Sequence, residues 1–209
     1  LAKGLKLAVQ YSDYDILLLI SNVVQEIVEG ELIQIEKTKK LNLKEEDFYK
    51  IISLKTGSLF QTSFSIGALN ANADNTKIKQ LQTLGMNIGM LFQIKDDILD
   101  YSSKSLISGK SFGNDIKEGK INLPLLFSLK KMNLLEKQKV YKILRNKKTT
   151  VQEIQLVYDL IKKYKGIELA EKVVKKYYSE SKTILTNFEE NVYNEVLSSL
   201  LDYLIERKK

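Results

Sequence analysis

The sequence predicts an all-α fold made of one domain over residues 1–209. Apolar residues recur at spacings of three and four along most of the chain, which is the period of an amphipathic helix. The chain contains only one proline, and no strand-like alternation of apolar and polar residues competes with the helical pattern. A chain of 209 residues is also long enough to bury a hydrophobic core without disulfides or a structural metal.

Helix-capping residues and apolar periodicity together bound the predicted helices. Asp13 precedes a long first helix, and Asp74 precedes a strongly apolar one. Asn42, followed three residues later by Glu45, resembles a capping box that opens the helix between them. The predicted helices cover residues 13–37, 44–71, 75–101, 150–163, 167–188 and 191–207.

The segment over residues 102–123 interrupts this helical pattern. It holds three of the ten glycines and ends just before the single proline, Pro124. Asn122 and Pro124 suit the cap and the first turn of a new helix, and helical periodicity then continues through residue 144. We therefore expect one substantial loop within an otherwise helical chain.

The formal net charge of +7 raises the question of an anionic partner. The lysines are distributed along the whole chain and alternate with glutamate and aspartate in most segments. Solvated helix surfaces explain such a distribution better than a dedicated polyanion-binding face. We expect no nucleic-acid partner.

The absence of cysteine, histidine and tryptophan restricts the chemistry that is open to the chain. Thiol nucleophiles, imidazole bases and zinc sites built from cysteine and histidine are excluded. A metal ion would be held by oxygen ligands, which favours magnesium, calcium or manganese over zinc or copper. Hard-cation chemistry on phosphate groups is the natural candidate.

No apolar run in the sequence approaches the roughly 18 residues that a membrane-spanning helix needs. The first four residues, LAKG, provide neither an initiator methionine nor the charged-then-apolar layout of a signal peptide. We expect a cytoplasmic protein without a transmembrane segment, and a sequence that starts inside a longer polypeptide.

Asp96, Asp97 and Asp100 form the most informative cluster of the sequence. Asp96 and Asp100 are one helical turn apart on one face, and Asp97 lies beside them. Three neighbouring carboxylates repel each other, and negative charge is unfavourable at a helix C-terminus. Because a cation between them would relieve both costs, we predict that the three aspartates bind Mg²⁺.

The same helix face is small and polar on its N-terminal side, where it carries Gly85, Gly89 and Gln93. Each glycine weakens a helix by about 1 kcal/mol relative to alanine, so close approach by a ligand or by another helix is the expected compensation. A solvated helix end with ordinary packing glycines explains the pattern equally well when the helix is considered alone.

Lysines elsewhere in the sequence favour phosphate binding next to these aspartates. Lys110 and Lys120 each follow a glycine in the loop, which also adds the carboxylate of Asp115. Lys55, followed by Thr56, lies in the middle of an apolar helix, where a buried ammonium group needs an acidic or phosphate partner. The alternative for Lys55 is a stem that covers apolar surface while the charged end reaches solvent.

Together these segments resemble the trans-prenyl diphosphate synthase family. LFQIKDDILDY at residues 91–101 is similar to the family's second aspartate-rich motif. GKSFGND at 109–115 and EGKINLP at 118–124 are similar to its glycine-lysine loop. Upstream, LKTGSLF at 54–60 resembles the lysine-threonine motif, and EGELIQ at 29–34 resembles the glycine-glutamate helix of bacterial members.

The resemblance implies an isoprenoid-synthase-type helical bundle that forms a homodimer and works as a magnesium-dependent prenyltransferase. Its substrates would be an allylic prenyl diphosphate and isopentenyl diphosphate, and the departing pyrophosphate would be stabilised by magnesium and lysines. The implied metal ligands are Asp96, Asp97 and Asp100. The implied catalytic residues are Asp96, Asp97, Lys55 and Lys110. Lys55 and Lys110 would also contact the diphosphate, and the supporting substrate-binding residues would be Thr56, Gln93, Lys120 and Gln34.

One motif of the family is missing from the sequence. The first aspartate-rich motif and the arginines that follow it are absent, and residues 13–15, which read DYD, do not replace them. Residues 1–8 resemble the helix just downstream of that motif. We therefore expect the C-terminal part of a polyprenyl synthetase domain, truncated at its N-terminus and inactive by itself, in which the product chain length cannot be read.

The main alternative is a non-catalytic partner subunit of a heteromeric prenyl diphosphate synthase, since such a subunit can lack one aspartate-rich motif. The retained carboxylates and lysines argue against it, because a modulating subunit does not need every metal and phosphate ligand. A terpene cyclase of the same fold is disfavoured by the glycine-lysine loop and the lysine-threonine pair. A purely structural helical protein leaves the aspartate cluster unexplained.

Overall fold

The computed structural model describes residues 2–101, 113–146 and 148–207. In these ranges the chain is helical and contains no β-strand, which confirms the predicted all-α class. A π-helical turn, Ser53–Gly57, lies between α3 and α4. The α-helices are α1 Ala2–Gln10, α2 Tyr14–Lys40, α3 Glu45–Ile52, α4 Ser58–Asn70, α5 Asn75–Leu99, α6 Asn114–Lys117, α7 Leu123–Lys131, α8 Leu134–Leu144, α9 Val151–Lys163, α10 Gly166–Leu185 and α11 Val192–Glu206.

Polar caps set the starts of several helices where the sequence predicts them. The side chains of Asp13, Asp74, Asn122 and Thr150 each accept a backbone N–H from the first turn of α2, α5, α7 and α9, respectively. Each cap satisfies a donor that would otherwise lack a partner at the helix N-terminus. The expected first turn at Pro124 is also confirmed, because this proline lies at the start of α7.

The start of α3 differs from the prediction. The proposed box between Asn42 and Glu45 is wrong, because α3 begins after Lys44 and Glu45 is already its first residue. The carboxylate of Asp47 accepts the backbone N–H of Lys44 at 3.0 Å and so closes the helix start. An acidic residue two positions further on thus takes the role that the sequence pattern gave to Glu45.

The π-helical turn is a feature that the sequence did not predict. It divides the helix expected over residues 44–71 and carries both Lys55 and Thr56. The backbone N–H of Ser58 reaches the carbonyl of Ser53, the five-residue step that defines such a turn. π-turns inside α-helices often occur at functional sites, because they change which way the local side chains point.

Helix α5 lies at the centre of the bundle. It packs against α4 and the π turn on one side and against α10 and α11 on another, and its C-terminal half also contacts α7. Its apolar residues Leu84, Ile88, Leu91 and Ile94 are fully buried. Burying a side chain of this size contributes about 1.5–3 kcal/mol relative to leaving it exposed, so α5 organises the core from which the aspartates project.

The glycines of α5 serve contact between helices. A Cβ atom on Gly89 would lie 2.7 Å from the Cα of Gly57 in the π turn, and one on Gly85 would lie 2.8 Å from the backbone oxygen of Phe60 in α4. The sequence predicts that either a ligand or another helix lies close to these glycines. In the structure it is another helix.

A second buried cluster holds the chain together beyond the end of α5. It joins Tyr101 to apolar residues of α6, α7, α8 and α9. Ile116 of α6 and Tyr101 are both almost fully buried, so the described segment after residue 112 is anchored directly beside the α5 terminus.

Several helices keep apolar residues at the surface. Leu18 and Leu32 of α2 are exposed, as are Val192, Val196 and Tyr203 of α11. Exposed apolar groups of this kind favour contact with other protein surfaces. Within the described ranges, no helix combines the length and the apolar character needed to cross a bilayer.

Gly89→Ala should lower the free energy of unfolding by about 1–3 kcal/mol, because the added methyl group meets backbone atoms that cannot rotate away. Gly67→Ala is the matched control, since a Cβ at that position meets nothing within 4 Å. The control should be neutral or stabilising by up to about 1 kcal/mol. Urea titrations of both variants measure the difference, and equal stabilities would show that the α5 contact is looser than described.

Candidate active site

The crossing of α2 over the π turn positions the first part of the site. A Cβ atom on Gly30 would lie 2.8 Å from Cγ of Lys55, so only glycine allows α2 to come this close. At this distance the Lys55 ammonium contacts Oε1 of Gln34 and pairs with Oε2 of Glu31 at 2.5 Å. Glu31 is therefore the acidic partner of Lys55. It was not among the site residues predicted from the sequence.

Hydrogen bonds link the π turn to the end of α5. The hydroxyl of Thr56 donates to Oε1 of Gln93 at 2.8 Å, and Nε2 of Gln93 donates to Oδ1 of Asp97 at 3.1 Å. Three of the predicted site residues are thus in one chain of contacts, although Thr56 is 37 positions from Gln93 in the sequence.

Asp97 is a buried carboxyl group. Burial raises its pKa to about 8, and the nearby Asp115 contributes to the increase. The hydrogen bond from Gln93 acts in the opposite direction but does not outweigh burial. Without a compensating cation, Asp97 therefore retains a proton near neutral pH.

Asp100 and Asp115 complete an acidic group at the end of α5. The carboxylate of Asp100 accepts the backbone N–H groups of Asn114 and Asp115 at 3.3 and 3.4 Å. Burial, together with the charge of Asp115, raises the pKa of Asp100 to about 6. Burial also raises the pKa of Asp115 itself. Each of these carboxylates makes the ionised form of its neighbours less favourable.

Asn122 fixes the position of Asp115. Its Nδ2 donates to Oδ2 of Asp115 at 2.8 Å, and its Oδ1 accepts the buried hydroxyl of Tyr101 at 2.8 Å. Asn122 is predicted from the sequence only as a helix cap, and Tyr101 only as a member of the aspartate-rich motif. Both residues lie within motifs that resemble the family, and this position in the sequence could have identified them as site residues.

Asp96 has a different environment from Asp97. Its carboxylate pairs with the guanidinium group of Arg207, which follows the last helix. The Arg207 guanidinium carbon also lies 4.6 Å from the ring centre of Phe92. Burial raises the pKa of Asp96, and the charge of Arg207 opposes that increase. No sequence signal pointed to Arg207, because it is 111 positions from Asp96.

Of the two loop lysines, Lys110 and Lys120, the structure describes only Lys120. Lys120 is partly exposed and pairs with Glu118 at 2.5 Å. Lys110 lies outside the described residues, so its place near the aspartates remains a prediction.

These groups surround a cavity of about 150 Å³ between α2, the π turn, α5 and the segment before α7. Of the predicted site residues that the structure describes, Asp96 and Asp100 do not line the cavity. Those that do are Gln34, Lys55, Thr56, Gln93, Asp97 and Lys120, together with Lys37, Asp115 and Asn122. The wall thus combines cationic groups, neutral donors and buried carboxyls.

The acidic residues suit a hard divalent cation by their chemistry. Asp97, Asp100 and Asp115 supply carboxylate oxygens whose mutual repulsion a cation would relieve. Among the described residues, no three acidic side chains are close enough to enclose an ion by themselves. Mg²⁺ sites in proteins can use one or two carboxylates together with water and substrate phosphates. By their chemistry these residues therefore fit Mg²⁺ as part of a coordination shell that other ligands would complete.

Comparison with known proteins assigns the chain to a family. The sequence profile named Polyprenyl synthetase matches residues 1–161 of the 209. The chain belongs to the polyprenyl synthetase family. The resemblance found in the motifs is therefore confirmed.

Relatives of this polyprenyl synthetase chain include the geranylgeranyl diphosphate synthase of Sulfolobus acidocaldarius. It is 33% identical over 185 residues, which are 88% of this chain and 56% of the relative. The octaprenyl diphosphate synthase of Haemophilus influenzae is 25% identical over 207 residues, which are 98% of this chain and 62% of that protein. The chain thus spans between half and two thirds of the length of these relatives.

Solved structures confirm the isoprenoid-synthase type of helical fold. A polyprenyl synthase from Caulobacter crescentus, crystallised with calcium and isoprenyl diphosphate, superposes with a TM-score of 0.91 at 28% identity. The similarity covers 100% of this chain and 63% of that one. A geranylgeranyl pyrophosphate synthase from Bacteroides thetaiotaomicron gives a TM-score of 0.90 at 33% identity, over 99% of this chain and 68% of that one.

The buried carboxyls predict an unusual dependence of stability on pH. The folded-state pKa of Asp97, about 8, lies above its ordinary value of 3.8, so the folded protein binds this proton more tightly than the unfolded chain. The resulting stabilisation is complete below pH 3.8 and is lost as the pH rises through about 8. With a chelator present, the free energy of unfolding should fall by a few kcal/mol between about pH 5 and pH 8.5.

Asp97→Asn should remove most of this fall, whereas replacement of the exposed Asp159 by asparagine should leave it unchanged. The chain has no histidine, but Asp100, whose pKa is about 6, also titrates in this range and should account for the smaller part of the fall that remains. Denaturant titrations at each pH provide the measurement. A flat profile for the unmodified protein would mean that Asp97 is ionised and stabilised by contacts not described here.

Proposed function

We propose that this chain supplies the diphosphate-binding part of a trans-prenyl diphosphate synthase. Such an enzyme condenses isopentenyl diphosphate with an allylic prenyl diphosphate and releases pyrophosphate. The observation that carries the proposal is one cavity lined by Lys55 and Thr56 together with the buried Asp97 and Asp115. Cationic donors and carboxyls that need a cation are the complementary parts of a site for a metal-bound diphosphate.

Lys55 is the direct phosphate ligand in this proposal. Its ammonium group is held by Gln34 and Glu31 at the cavity wall, and it is partly exposed. A diphosphate oxygen could replace either contact, and the ammonium would then stabilise negative charge as the pyrophosphate departs. The hydrogen bonds from Thr56 to Gln93 and from Gln93 to Asp97 hold the carboxyl group in place at the same cavity.

The bond changes balance without a side-chain base. The carbon–oxygen bond between the allylic carbon and its diphosphate breaks, and the electrons of the isopentenyl double bond form the new carbon–carbon bond. A proton then leaves the product cation, and the released pyrophosphate is basic enough to accept it. A chain without histidine is compatible with that route. Mg²⁺, when bound, would neutralise charge on the departing group.

The remaining assignments belong to the same proposal. Asp96, Asp97 and Asp100 would contribute metal ligands, and Lys110 would join Lys55 at the diphosphate. Thr56, Gln93, Lys120 and Gln34 would support substrate binding from the cavity wall, where the structure places them. We further propose a homodimer, which the exposed apolar residues of α2 and α11 support, and a cytoplasmic location.

A partner-subunit role is the second candidate. It is favoured by one relative, the Bacillus subtilis protein named heptaprenyl diphosphate synthase component 2, which is 29% identical over 190 residues. The name describes one component of an enzyme. The retained lysines and aspartates favour the catalytic role for this chain, and activity of the purified full natural polypeptide without any other protein would separate the two.

Asp97→Asn in the full natural polypeptide should reduce turnover by about 10²-fold or more, since the site would lose a charged oxygen ligand. The helix content measured by circular dichroism should be unchanged. Asp159→Asn is again the control and should retain normal turnover. An unmodified rate and an unmodified magnesium requirement in the Asp97 variant would remove this carboxylate from the mechanism.

Residues 1–209 by themselves should not catalyse prenyl transfer, although they should be helical. They lack the first aspartate-rich motif and the arginines after it, so isopentenyl diphosphate would have no anchor and no defined orientation for attack. Radiolabelled isopentenyl diphosphate, an allylic primer and Mg²⁺ provide the assay, with the mass of the protein verified. Robust elongation would show that the catalytic groups lie elsewhere in this chain.

A further inference from the structure

Arg207 holds Asp96 from the far end of the sequence. It follows α11 directly, and its guanidinium group contacts Oδ1 of Asp96 while lying over the ring of Phe92. The Arg207 side chain is only 11% exposed, whereas that of Asp96 is 42% exposed. The arginine is therefore enclosed by the site, and the aspartate still faces solvent.

The enclosed guanidinium is incompletely satisfied. Its Nε atom is buried and has no hydrogen-bond partner among the described residues. A buried donor without a partner is unfavourable, and a buried charge needs compensation. The contacts with Asp96 and Phe92 are what compensate it here, so the position of Arg207 depends strongly on the charge of Asp96.

The backbone at Arg207 allows it to move without disturbing the bundle. Helix α11 ends at Glu206, and Arg207 has left the helical conformation, with φ −51° and ψ 129°. One backbone hydrogen bond, from its N–H to the carbonyl of Tyr203 at 2.9 Å, ties it to the helix. Rotation of this side chain would release Asp96 while α11 stays in place.

We propose that Arg207 is a positioning residue that serves as an internal counter-ion of Asp96, and that it competes with a divalent cation for this carboxylate. In the absence of metal the guanidinium neutralises the aspartate, and metal binding displaces it towards solvent. This inference rests on the proposed function only in taking Asp96 to be a metal ligand. Because competition is a thermodynamic linkage, the cation weakens the arginine contact by the same factor as the arginine weakens the cation.

The side-chain NMR spectrum of arginine tests the displacement directly. The chain has two arginines, Arg207 and the exposed Arg145, so two Nε–H signals are expected, and Arg145→Gln assigns them. The Arg207 signal should be protected from solvent exchange and shifted by the Phe92 ring. Addition of Mg²⁺ should move it to the position typical of the exposed arginine. An Arg207 signal that stays in place while backbone amides near Asp96 respond to Mg²⁺ would overturn the proposal.

Binding of Mn²⁺, followed by the loss of the free-ion EPR signal, tests the competition. Arg207→Gln should bind Mn²⁺ roughly tenfold more tightly than the unmodified chain. Arg145→Gln removes the same charge elsewhere and should have little effect. In an Asp96→Asn background, Arg207→Gln should change the Mn²⁺ affinity by less than about twofold, because the contested carboxylate is gone.

Two results in the Mn²⁺ experiment would contradict the competition. They are equal affinities of the Arg207 and Arg145 variants, and the absence of Mn²⁺ binding to Arg207→Gln. Neither result depends on catalysis, so the outcome is separate from the activity test of Asp97 in the full natural polypeptide. Normal activity of the Asp97 variant would refute that assignment and leave the arginine measurement valid.

Discussion

The site depends first on the close contact between α5 and the π turn. Gly89 and Gly57 meet backbone to backbone, which brings Thr56 within hydrogen-bonding distance of Gln93. A side chain at Gly89 would meet the backbone of Gly57, push the two segments apart and disturb the connection to Asp97. The glycines of α5 lower its intrinsic helix stability, but they permit the close contact that brings together polar groups from distant parts of the sequence.

The second constraint is electrostatic. Asp97, Asp100 and Asp115 share a poorly solvated region, where burial raises the pKa of each and the charge of Asp115 adds to the increase at Asp97 and Asp100. Such a group is unfavourable for folding unless it is protonated or neutralised. A bound cation is one way to neutralise these carboxyl groups, and lysines line the same cavity.

Much of the fold could be predicted from the sequence because helix caps and apolar periodicity are local signals. Asp13, Asp74 and Asn122 each mark a helix start within one residue of its observed position. The π turn was not predicted, because the apolar periodicity continues through residues 53–57 and gives no local signal for it. Its last residue, Gly57, lies against Gly89, a contact between residues that are distant in the sequence.

The site shows the same division between local and distant information. Gln34, Lys55, Thr56, Gln93, Asp97 and Lys120 were selected from motif residues and do share one cavity. Glu31 and Arg207 were not selected, although each pairs with a selected residue. Because Asp96 and Arg207 are 111 positions apart, the sequence around neither residue indicates that they pair.

The hydrogen bond between Thr56 and Gln93 has a consequence for how a ligand is received. The hydroxyl hydrogen of Thr56 is directed at Oε1 of Gln93, so the same oxygen can offer only its lone pairs to the cavity. In that state the Thr56 hydroxyl has no hydrogen to offer a phosphate oxygen, and it can accept a hydrogen bond from an ammonium group or from a metal-bound water. Thr56 therefore supports a diphosphate through such a group, and it donates to phosphate directly only if its hydrogen bond to Gln93 breaks.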